Sequence, residues 1–398
     1  MEILQTVARK ILDFFWPEDL ATKAFEDGAE AFTLYRTSNK KTDLDTAITN
    51  FSTSLDLRLQ RRNEWAADSR PVAEDKVQTL STSIADTYLN YIIALLDRYW
   101  KFGNGKVDAE QLMKLEESLF KEWDQRCPPG YAGVTFNLGN VYCQLYRNIV
   151  LEPSPAAYTV IDDKEAMFQK LRAMYERLIY LKDGEGGQTQ DIKRMSLIAL
   201  SKMFVLKYTS SSTLRSSDAG SKKLLLSDAI NYLEQALKLF QPPITSLSPA
   251  LQAEYRDCND NLATAYFMRY EAGAGGSNAA NASDPQYLNK AIELFSASQK
   301  MYSEDPRSPP AIRCAHNLAR ALYKRYESLQ SYPRPTRIAG NRSVRVKAGL
   351  DDLKEAERLE KQVKSAFDSL GEEQTERMKL EDVKRDVMLL LAVIAQQV

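Results

Sequence analysis

A cysteine and a histidine, Cys314 and His316, stand two residues apart, and His316 is the only histidine in the chain. A thiol beside an imidazole could form a nucleophilic dyad, in which the imidazole removes the thiol proton. On a helix, however, only residues three or four apart share a face, so these two side chains should point to different sides. Any Ser-His-Asp or Cys-His mechanism would have to use this one histidine. We therefore predict no catalytic residue.

An acidic segment, LDDLKEAE at residues 350–357, has the spacing DDxxE. It resembles the aspartate-rich motif by which terpene synthases hold magnesium diphosphate, and in that reading Asp351, Asp352 and Glu355 would be metal ligands. Acids at a helix start are also stabilised by the helix dipole without any metal. Hard cations need several converging oxygen ligands, and NDNLATAY at 259–266 lacks the final acid of a second metal motif. We favour the helix-start interpretation and predict no metal and no cofactor.

Other site-forming patterns are weak. The glycine clusters GEGG (184–187) and GAGG (273–276) are not followed by the Lys-Ser/Thr of a phosphate-binding loop, so we interpret them as helix connectors. The cysteines form no CxxC pair, which suits neither a disulfide scaffold nor a zinc site. Their positions are Cys127, Cys143, Cys258 and Cys314.

The overall composition excludes several classes of protein. The chain carries 53 basic and 54 acidic residues among 398, a net charge of -1, so no global field would attract nucleic acid. No segment reaches the roughly 20 apolar residues of a membrane-spanning helix. The N-terminus lacks the pattern of a secretory signal. With the cysteine pattern, these features predict a cytoplasmic protein with no membrane span and no nucleic-acid partner.

Similar segments recur along the chain, and they predict the helices that position these residues. Five ten-residue segments end in tyrosine and have apolar or small residues at the i, i+3, i+4 spacing of a helix face. They are NYIIALLDRY (90–99), NLGNVYCQLY (137–146), ALSKMFVLKY (199–208), NLATAYFMRY (261–270) and NLARALYKRY (317–326), with a weaker copy, EDGAEAFTLY, at 26–35. We call each segment helix B. Cys258 and Cys314 both lie three residues before a helix B asparagine, which favours a small buried role.

A second series of helical segments precedes the helix B series, and we call each member helix A. Its members are DLDTAITNFSTSLDL (43–57), QLMKLEESLF (111–120), residues 162–181, DAINYLEQALKLF (228–240) and YLNKAIELFSASQKM (287–301). The acids or serine Asp43, Asp162, Ser227 and Asp284 stand where helix starts favour them. No strand pattern of period two accompanies them. The sequence therefore predicts an all-α fold.

The helix A and helix B pair resembles the tetratricopeptide repeat (TPR), in a long-period, degenerate form similar to repeats of fungal multidomain proteins. The separations are 47 to 62 residues, whereas the standard period is about 34. The resemblance covers roughly residues 20 to 330 and implies a right-handed α-solenoid of about six antiparallel helix pairs.

The domain boundaries follow from that resemblance. We predict an N-terminal capping helix at 1–18, TPR-like repeats at 19–330, a basic loop at 331–345 and a C-terminal helical pair at 346–398. The pair comprises residues 346–368 and 372–397. Residues 2–16 could alternatively lie on a membrane surface, because FFW stands near Arg9 and Lys10. Glu2 and Asp13 weaken that alternative.

Two sets of residues recur in the helix B series as a structural signature. The asparagines could grip a peptide backbone or satisfy backbone groups of the neighbouring connection, and we favour the second interpretation. The asparagines are Asn90, Asn137, Asn261 and Asn317, and the terminal tyrosines are Tyr99, Tyr146, Tyr208, Tyr270 and Tyr326.

The repeat resemblance implies a protein-interaction scaffold. Its concave face, lined mainly by A helices, would bind a peptide or a partner helix. The alternative is an all-α enzyme with an enclosed apolar pocket for a small substrate such as an isoprenoid. A third hypothesis is self-assembly, with the apolar tail 387–396 buried in a homo-oligomer. The sequence assigns no residue to a partner contact.

Overall fold

The structure is a computed structural model, and it describes most of the chain. The described residues are 17–67, 72–102, 107–108, 110–115, 130–151, 164–185, 189–210, 219–240, 244–274, 284–302, 305–331, 339–377 and 380–397. Within them all regular secondary structure is helical, so the all-α prediction is confirmed for this part of the chain. Residues 1–16 of the predicted cap (1–18), Asp162 and Cys127 lie outside the described residues, and residues 17–18 of that cap belong to the first described helix, Pro17–Ser38.

The described residues form twelve α-helices. They are α1 Pro17–Ser38, α2 Lys41–Ala67, α3 Glu74–Phe102, α4 Tyr131–Leu151, α5 Lys164–Tyr180, α6 Gln190–Ser210, α7 Ala219–Lys238, α8 Pro249–Ala274, α9 Pro285–Met301, α10 Pro309–Ser331, α11 Ala339–Arg377 and α12 Glu381–Ala395. A 3₁₀ turn, Ile244–Ser246, precedes α8, and residues 107–108 and 110–115 are also helical. Every predicted helix B segment lies inside one helix: α1, α3, α4, α6, α8 or α10.

Local chemistry marks several helix ends. α1, α8, α9 and α10 begin with proline, whose fixed φ and missing N–H suit the first helical position. Asp284 is the N-cap of α9, and its carboxylate accepts a 2.9 Å hydrogen bond from the backbone N–H of Gln286. After α1, Asn39 adopts a φ of 56°, and its N–H donates to the Tyr35 carbonyl at 2.8 Å. A left-handed residue of this kind ends a helix and reverses the chain.

Three predicted helix boundaries are wrong. Ser227 does not start a helix, because α7 begins at Ala219 and the Ser227 hydroxyl donates to the Lys223 carbonyl inside it. The predicted loop 331–345 is helical from Ala339 onward, since α11 extends continuously from Ala339 to Arg377. The gap predicted at 369–371 is therefore also helical.

The chain divides into two compact units, residues 1–200 and 201–398, with the boundary inside α6. In the first unit α1 packs on α2, α2 on α3, α3 on α4 and α4 on α5; α1 also contacts α3. In the second unit α7 packs on α8, and each following helix through α12 packs on the next. There α10 also contacts α8 and α12. Each unit is thus built mainly from helices that are neighbours in sequence.

The third position of the helix B segments is small in five of the six copies, and the exception is Ile92 of α3. A Cβ added at Gly28 would lie 2.9 Å from the Phe51 ring, and one at Gly139 would lie 3.0 Å from the Tyr175 ring. Both aromatic rings are fully buried on the adjacent helix A. The equivalent residues of the second unit, Ser201, Ala263 and Ala319, are also fully buried. Close packing at this position explains the small side chain.

The helix A segments bury an equivalent alanine-isoleucine step. The exposed fraction of these side chains does not exceed 8% in any copy. The steps are Ala47 and Ile48 in α2, Ala229 and Ile230 in α7, and Ala291 and Ile292 in α9. All three steps are thus buried, as expected for apolar positions of a helix face.

An arginine before the terminal tyrosine connects helix B to a helix A on each side in three copies. Arg98 donates to Asp45 of α2 at 2.9 Å and forms a two-nitrogen contact with Asp108, at 2.6 and 3.0 Å. Arg325 pairs in the same two-nitrogen manner with Asp352 of α11, at 2.6 and 2.7 Å. Planar, bidentate pairs of this kind hold the two side chains in one relative orientation, in addition to their favourable energy.

The arginine also contacts the preceding helix A in the second unit. Arg325 lies 3.4 Å from the Asn289 oxygen of α9. Arg269 donates to Ser227 of α7 at 3.4 Å and stacks over the Tyr287 ring of α9 at 5.2 Å. The same helix B position therefore contacts the helical segments before and after it in α3, α8 and α10.

Candidate functional site

A polar cleft of about 300 Å³ opens in the second unit, between helices that carry the helix B segments. α6 contributes Lys202, and α9 contributes Phe295 at the base. The remaining lining residues come from two helices: Asp257, Asp260, Asn261 and Thr264 of α8, and Pro310, Arg313, Cys314 and Asn317 of α10. Helix A supplies only one of these side chains.

The two main walls of the cleft are equivalent faces of α8 and α10. Asp257 and Asn261 are separated by four residues, as are Arg313 and Asn317, so each pair shares a face. Aligned on the repeat, Asp257 corresponds to Arg313, and Asn261 to Asn317. The repeat therefore places an asparagine on both walls and opposite charges one turn before it.

Asp260 lies at the inner edge of this cleft, where burial changes its acidity. One carboxylate oxygen accepts a 2.8 Å hydrogen bond from the Tyr302 hydroxyl, and the other is buried with no hydrogen-bond partner among the described residues. Burial raises the pKa of Asp260, the Ser298, Tyr302 and Cys314 side chains oppose that shift, and the nearby Asp257 carboxylate adds to it. The cleft thus contains an unsatisfied acceptor.

The charged side chains at the cleft opening are exposed and available. Lys202, Asp257 and Arg313 are exposed, and none forms an ion pair within the described part of the chain. Two cations and the two aspartates make the lining formally neutral in sum. A ligand with one sign of charge would meet repulsion as well as attraction, whereas a polar or zwitterionic segment would find partners on both walls.

The four signature asparagines do not reach the neighbouring connections. Three donate from Nδ2 to the carbonyl four residues earlier in their own helix: Asn90 to Asp86 at 2.8 Å, Asn137 to Gly133 at 2.8 Å and Asn261 to Asp257 at 2.7 Å. The favoured prediction, satisfaction of backbone groups in the connections, is wrong for these three. Asn317 is half-buried in the cleft wall, and its side chain makes no hydrogen bond to the described residues.

The terminal tyrosines are packed to different degrees. Tyr146 and Tyr326 are buried, whereas Tyr99, Tyr208 and Tyr270 are half-buried. Burial raises the pKa of Tyr146 to about 12, with smaller contributions from Glu165 and Cys143. These side chains pack against neighbouring helices, and none of them lines the cleft.

The structure does not bring the DDxxE acids together. Asp352 faces Arg325, as described above, and Glu355 forms a two-nitrogen pair with Arg358, at 2.6 and 2.7 Å. Asp351 is exposed. Among the described residues no group of three or more His, Cys, Asp and Glu side chains could hold a metal ion. Asp352 and Glu355 are each neutralised by an arginine.

Cys314 and His316 point to different sides of α10, as predicted. The Cys314 thiol donates to the Phe295 carbonyl of α9, with a sulfur–oxygen distance of 3.5 Å, whereas His316 faces Glu360 of α11. Burial and the Asp260 carboxylate hold the pKa of the Cys314 thiol far above its ordinary value. Cys258 is likewise buried, and its thiol lies near the Leu233 carbonyl. Both thiols are therefore unreactive packing groups.

The apolar C-terminal helix is only partly covered. Val387 and Ile394 of α12 are buried, while Met388, Leu389 and Val393 are exposed by 50%, 60% and 39%. No helix in the described ranges combines the length and apolarity needed to cross a membrane.

Fold and site together define an all-α protein of sequentially packed helix pairs with a polar cleft between equivalent helices. No protein-family model matches the chain, and no curated protein matches it. Among solved structures, one described as "Computational Design of Self-Assembling Cyclic Protein Homooligomers" aligns over 92% of this chain and 99% of its own length. Identity to it is 12% and the TM-score is 0.19, values at which the match carries no argument about this chain.

The cleft residues outside the signature positions were missed by sequence reasoning. No sequence pattern identifies four of the lining residues, because the residue type at each of these positions varies among the aligned segments. They are Lys202, Asp257, Asp260 and Arg313. The signal that could have found Asp257 and Arg313 is their spacing of four residues from a signature asparagine. That spacing puts them on the same helix face as Asn261 and Asn317.

Proposed function

We propose that the chain is a TPR-like repeat protein whose helix pairs stack as a right-handed solenoid, and that it binds an extended peptide segment in the cleft of α8 and α10. The repeat supports this proposal through the recurrent arginine bridges and the recurrent small position at close helix contacts. The binding surface differs from the A-helix face expected from the family resemblance. It is the B-helix cleft defined above.

The single observation that carries the proposal is the pair of equivalent asparagines in the cleft. A side-chain amide offers both donors and an acceptor, which match the N–H and C=O groups of a peptide backbone. Asn261 uses one Nδ2 hydrogen within its own helix and keeps its Oδ1 acceptor, and Asn317 keeps its whole amide. One such amide on each wall of the cleft can hydrogen-bond to the backbone of a bound extended segment.

The wall charges define which peptides fit. Asp257 and Asp260 lie on α8, and Arg313 lies on α10, so a bound segment gains most when it presents a basic side chain to α8 and an acidic one to α10. The lining contains four formally charged side chains, and nothing in the described residues favours the second candidate function, an enzyme with an enclosed apolar pocket. Self-assembly through the tail 387–396 also stays a hypothesis.

The test begins with a random twelve-residue peptide library displayed on phage and selected against the full-length protein. We expect enriched sequences to combine basic and acidic side chains. Fluorescence anisotropy then measures the affinity of an enriched peptide for the wild type and for the Asn261→Ala, Asn317→Ala double variant. The double variant should bind at least tenfold more weakly, about 1.4 kcal/mol.

The matched control is Asn137→Ala, which removes the same amide from the equivalent position of α4, outside the cleft. Its affinity should equal that of the wild type. A library that yields no binding sequence, or an enriched peptide that binds the double variant as tightly as the wild type, would overturn the proposal.

A further inference from the structure

The only histidine is buried against a glutamate at the contact between α10 and α11. The His316 Nδ1 atom lies 2.8 Å from the Glu360 Oε1 atom, and the side chains are 4% and 0% exposed. The second imidazole nitrogen, Nε2, and the second carboxylate oxygen, Oε2, are buried with no hydrogen-bond partner among the described residues. Two groups that can each exchange a proton thus face one another away from water.

The number of protons in this pair decides its net charge. With one proton beyond the neutral imidazole and the carboxylate, the pair is neutral overall, either as imidazolium and carboxylate or as imidazole and carboxylic acid. Removal of that proton leaves a buried carboxylate anion, and addition of a second leaves a buried imidazolium cation. A buried charge without a counter-charge is costly, so the one-proton state suits this site best.

Few other charges act on the pair, and those near the carboxyl oppose one another. Burial raises the pKa of Glu360, His316 and the Arg320 guanidinium of α10 lower it, and Asp386 of α12 raises it. Arg320 in turn lies 3.6 Å from Glu271 of α8. On the α8 and α9 side of α10, the Asp260 carboxylate accepts a hydrogen bond from Tyr302 and acts on Cys314.

We propose that His316 and Glu360 jointly hold one proton at neutral pH and form a pH-sensitive lock between α10 and α11. This inference goes beyond the proposed peptide binding and does not depend on it. The lock is strongest in the pH range where folding neither takes up nor releases a proton at the pair. On either side of that range, unfolding exchanges a proton with solvent and the contact weakens.

The direction of each effect follows from the unfolded chain, in which Glu and His titrate near pH 4.3 and 6.5. Between those values the unfolded chain also holds one proton, so the stability contributed by the pair is constant. Above about pH 6.5 the unfolded histidine loses its proton while the folded pair keeps it. The unfolding equilibrium constant then rises by up to about tenfold per pH unit, until the folded pair loses its proton too.

A single histidine makes the protonation state directly observable by NMR. In protein labelled with ¹⁵N only at histidine, His316 gives the whole imidazole signal. Both one-proton arrangements place a hydrogen on Nε2, whereas in the proton-free pair Nδ1 donates to Glu360 and Nε2 is bare. We expect a protonated Nε2 and constant ¹⁵N shifts from pH 5 to 7.5. A bare Nε2 at pH 7, or a titration like that of free imidazole, would overturn the proposal.

The second measurement is urea unfolding of the full-length chain as a function of pH. Glu360→Gln removes the shared proton, so His316 should be neutral when folded and protonated when unfolded below about pH 6.5. This variant should lose stability as pH falls from 6.5 to 5 and stay constant from 6.5 to 8, the reverse of the wild type. Asp368→Asn, an exposed change on α11, should follow the wild type. Parallel profiles for wild type and Glu360→Gln would contradict the lock.

Discussion

At the scale of single residues, Arg98 of α3 connects α2 with the short helical segment that follows α3. Its guanidinium contacts Asp45 and the fully buried Asp108. Burial raises the pKa of Asp108, and the hydrogen bond and charge of Arg98 oppose that rise. Arg98 makes the largest favourable contribution to the Asp108 carboxylate; Lys41 adds a smaller one, and Asp45, which has the same sign of charge, opposes both.

Replacement of Arg98 by Met should destabilise the chain by about 3 kcal/mol, because it leaves the Asp108 carboxylate buried without its counter-charge. The matched control is Arg36→Met, since Arg36 is 58% exposed and lies 3.8 Å from Asp97. Exposed pairs of this kind contribute about 0 to 1 kcal/mol. Urea unfolding monitored by circular dichroism measures both changes. Equal effects for the two variants would show that burial of Asp108 is not the cause.

The sequence made the recurrence of this arginine visible but not its role. Arg98, Arg269 and Arg325 all precede a terminal tyrosine. Their partners are an aspartate pair, a serine with a tyrosine ring, and an asparagine with an aspartate. Because one arginine can accept such different partners, no fixed residue spacing identifies them. The same holds for Asp352, whose partner lies 27 residues earlier.

At the scale of helices, the contact between α4 and α5 depends on the missing side chain at Gly139. The Tyr175 ring covers this glycine, and the Tyr175 hydroxyl donates to Asn140 at 2.9 Å. Tyr175 is fully buried, so its ring has little room to move.

Substitution of Gly139 by Val should destabilise the chain by about 1 to 3 kcal/mol, because the added methyl groups overpack this contact. Gly133→Ala on the same helix is the control, since a Cβ there meets no atom within 4 Å. Alanine favours helices over glycine by up to about 1 kcal/mol, so the control should be neutral or stabilising. Thermal unfolding of both variants tests the comparison. A destabilised Gly133→Ala would indicate loss of helix geometry rather than overpacking.

Helix identity was predictable and helix ends were less so. Periodicity placed all six helix B segments inside helices, because a buried face demands apolar residues every three to four positions. Ser227 and residues 339–345 were misjudged for a common reason. A serine or a Pro-bearing basic segment signals a helix end only when the backbone leaves the helix there, and α7 and α11 both extend further towards the N-terminus.

At the scale of the whole molecule, the recurring helical segments were visible in the sequence, and the position of the cleft was not. Recurrent Asn261 and Asn317 mark equivalent sites, but their depth in a shared cleft depends on the separation of α8 and α10. That separation depends on the packing of α9 between them, which no local pattern encodes. The family resemblance pointed instead to the A-helix face, so the B-helix cleft emerges only from the coordinates.

The most direct test of this account is hydrogen–deuterium exchange of the full-length protein, measured with and without an enriched library peptide. We predict that the peptide slows exchange in residues 253–267 and 309–322, which carry the two cleft walls. Residues 226–240, on the A helix α7, line no part of the cleft and should exchange at unchanged rates. Protection confined to residues 226–240 would contradict the account and assign binding to a surface outside the cleft.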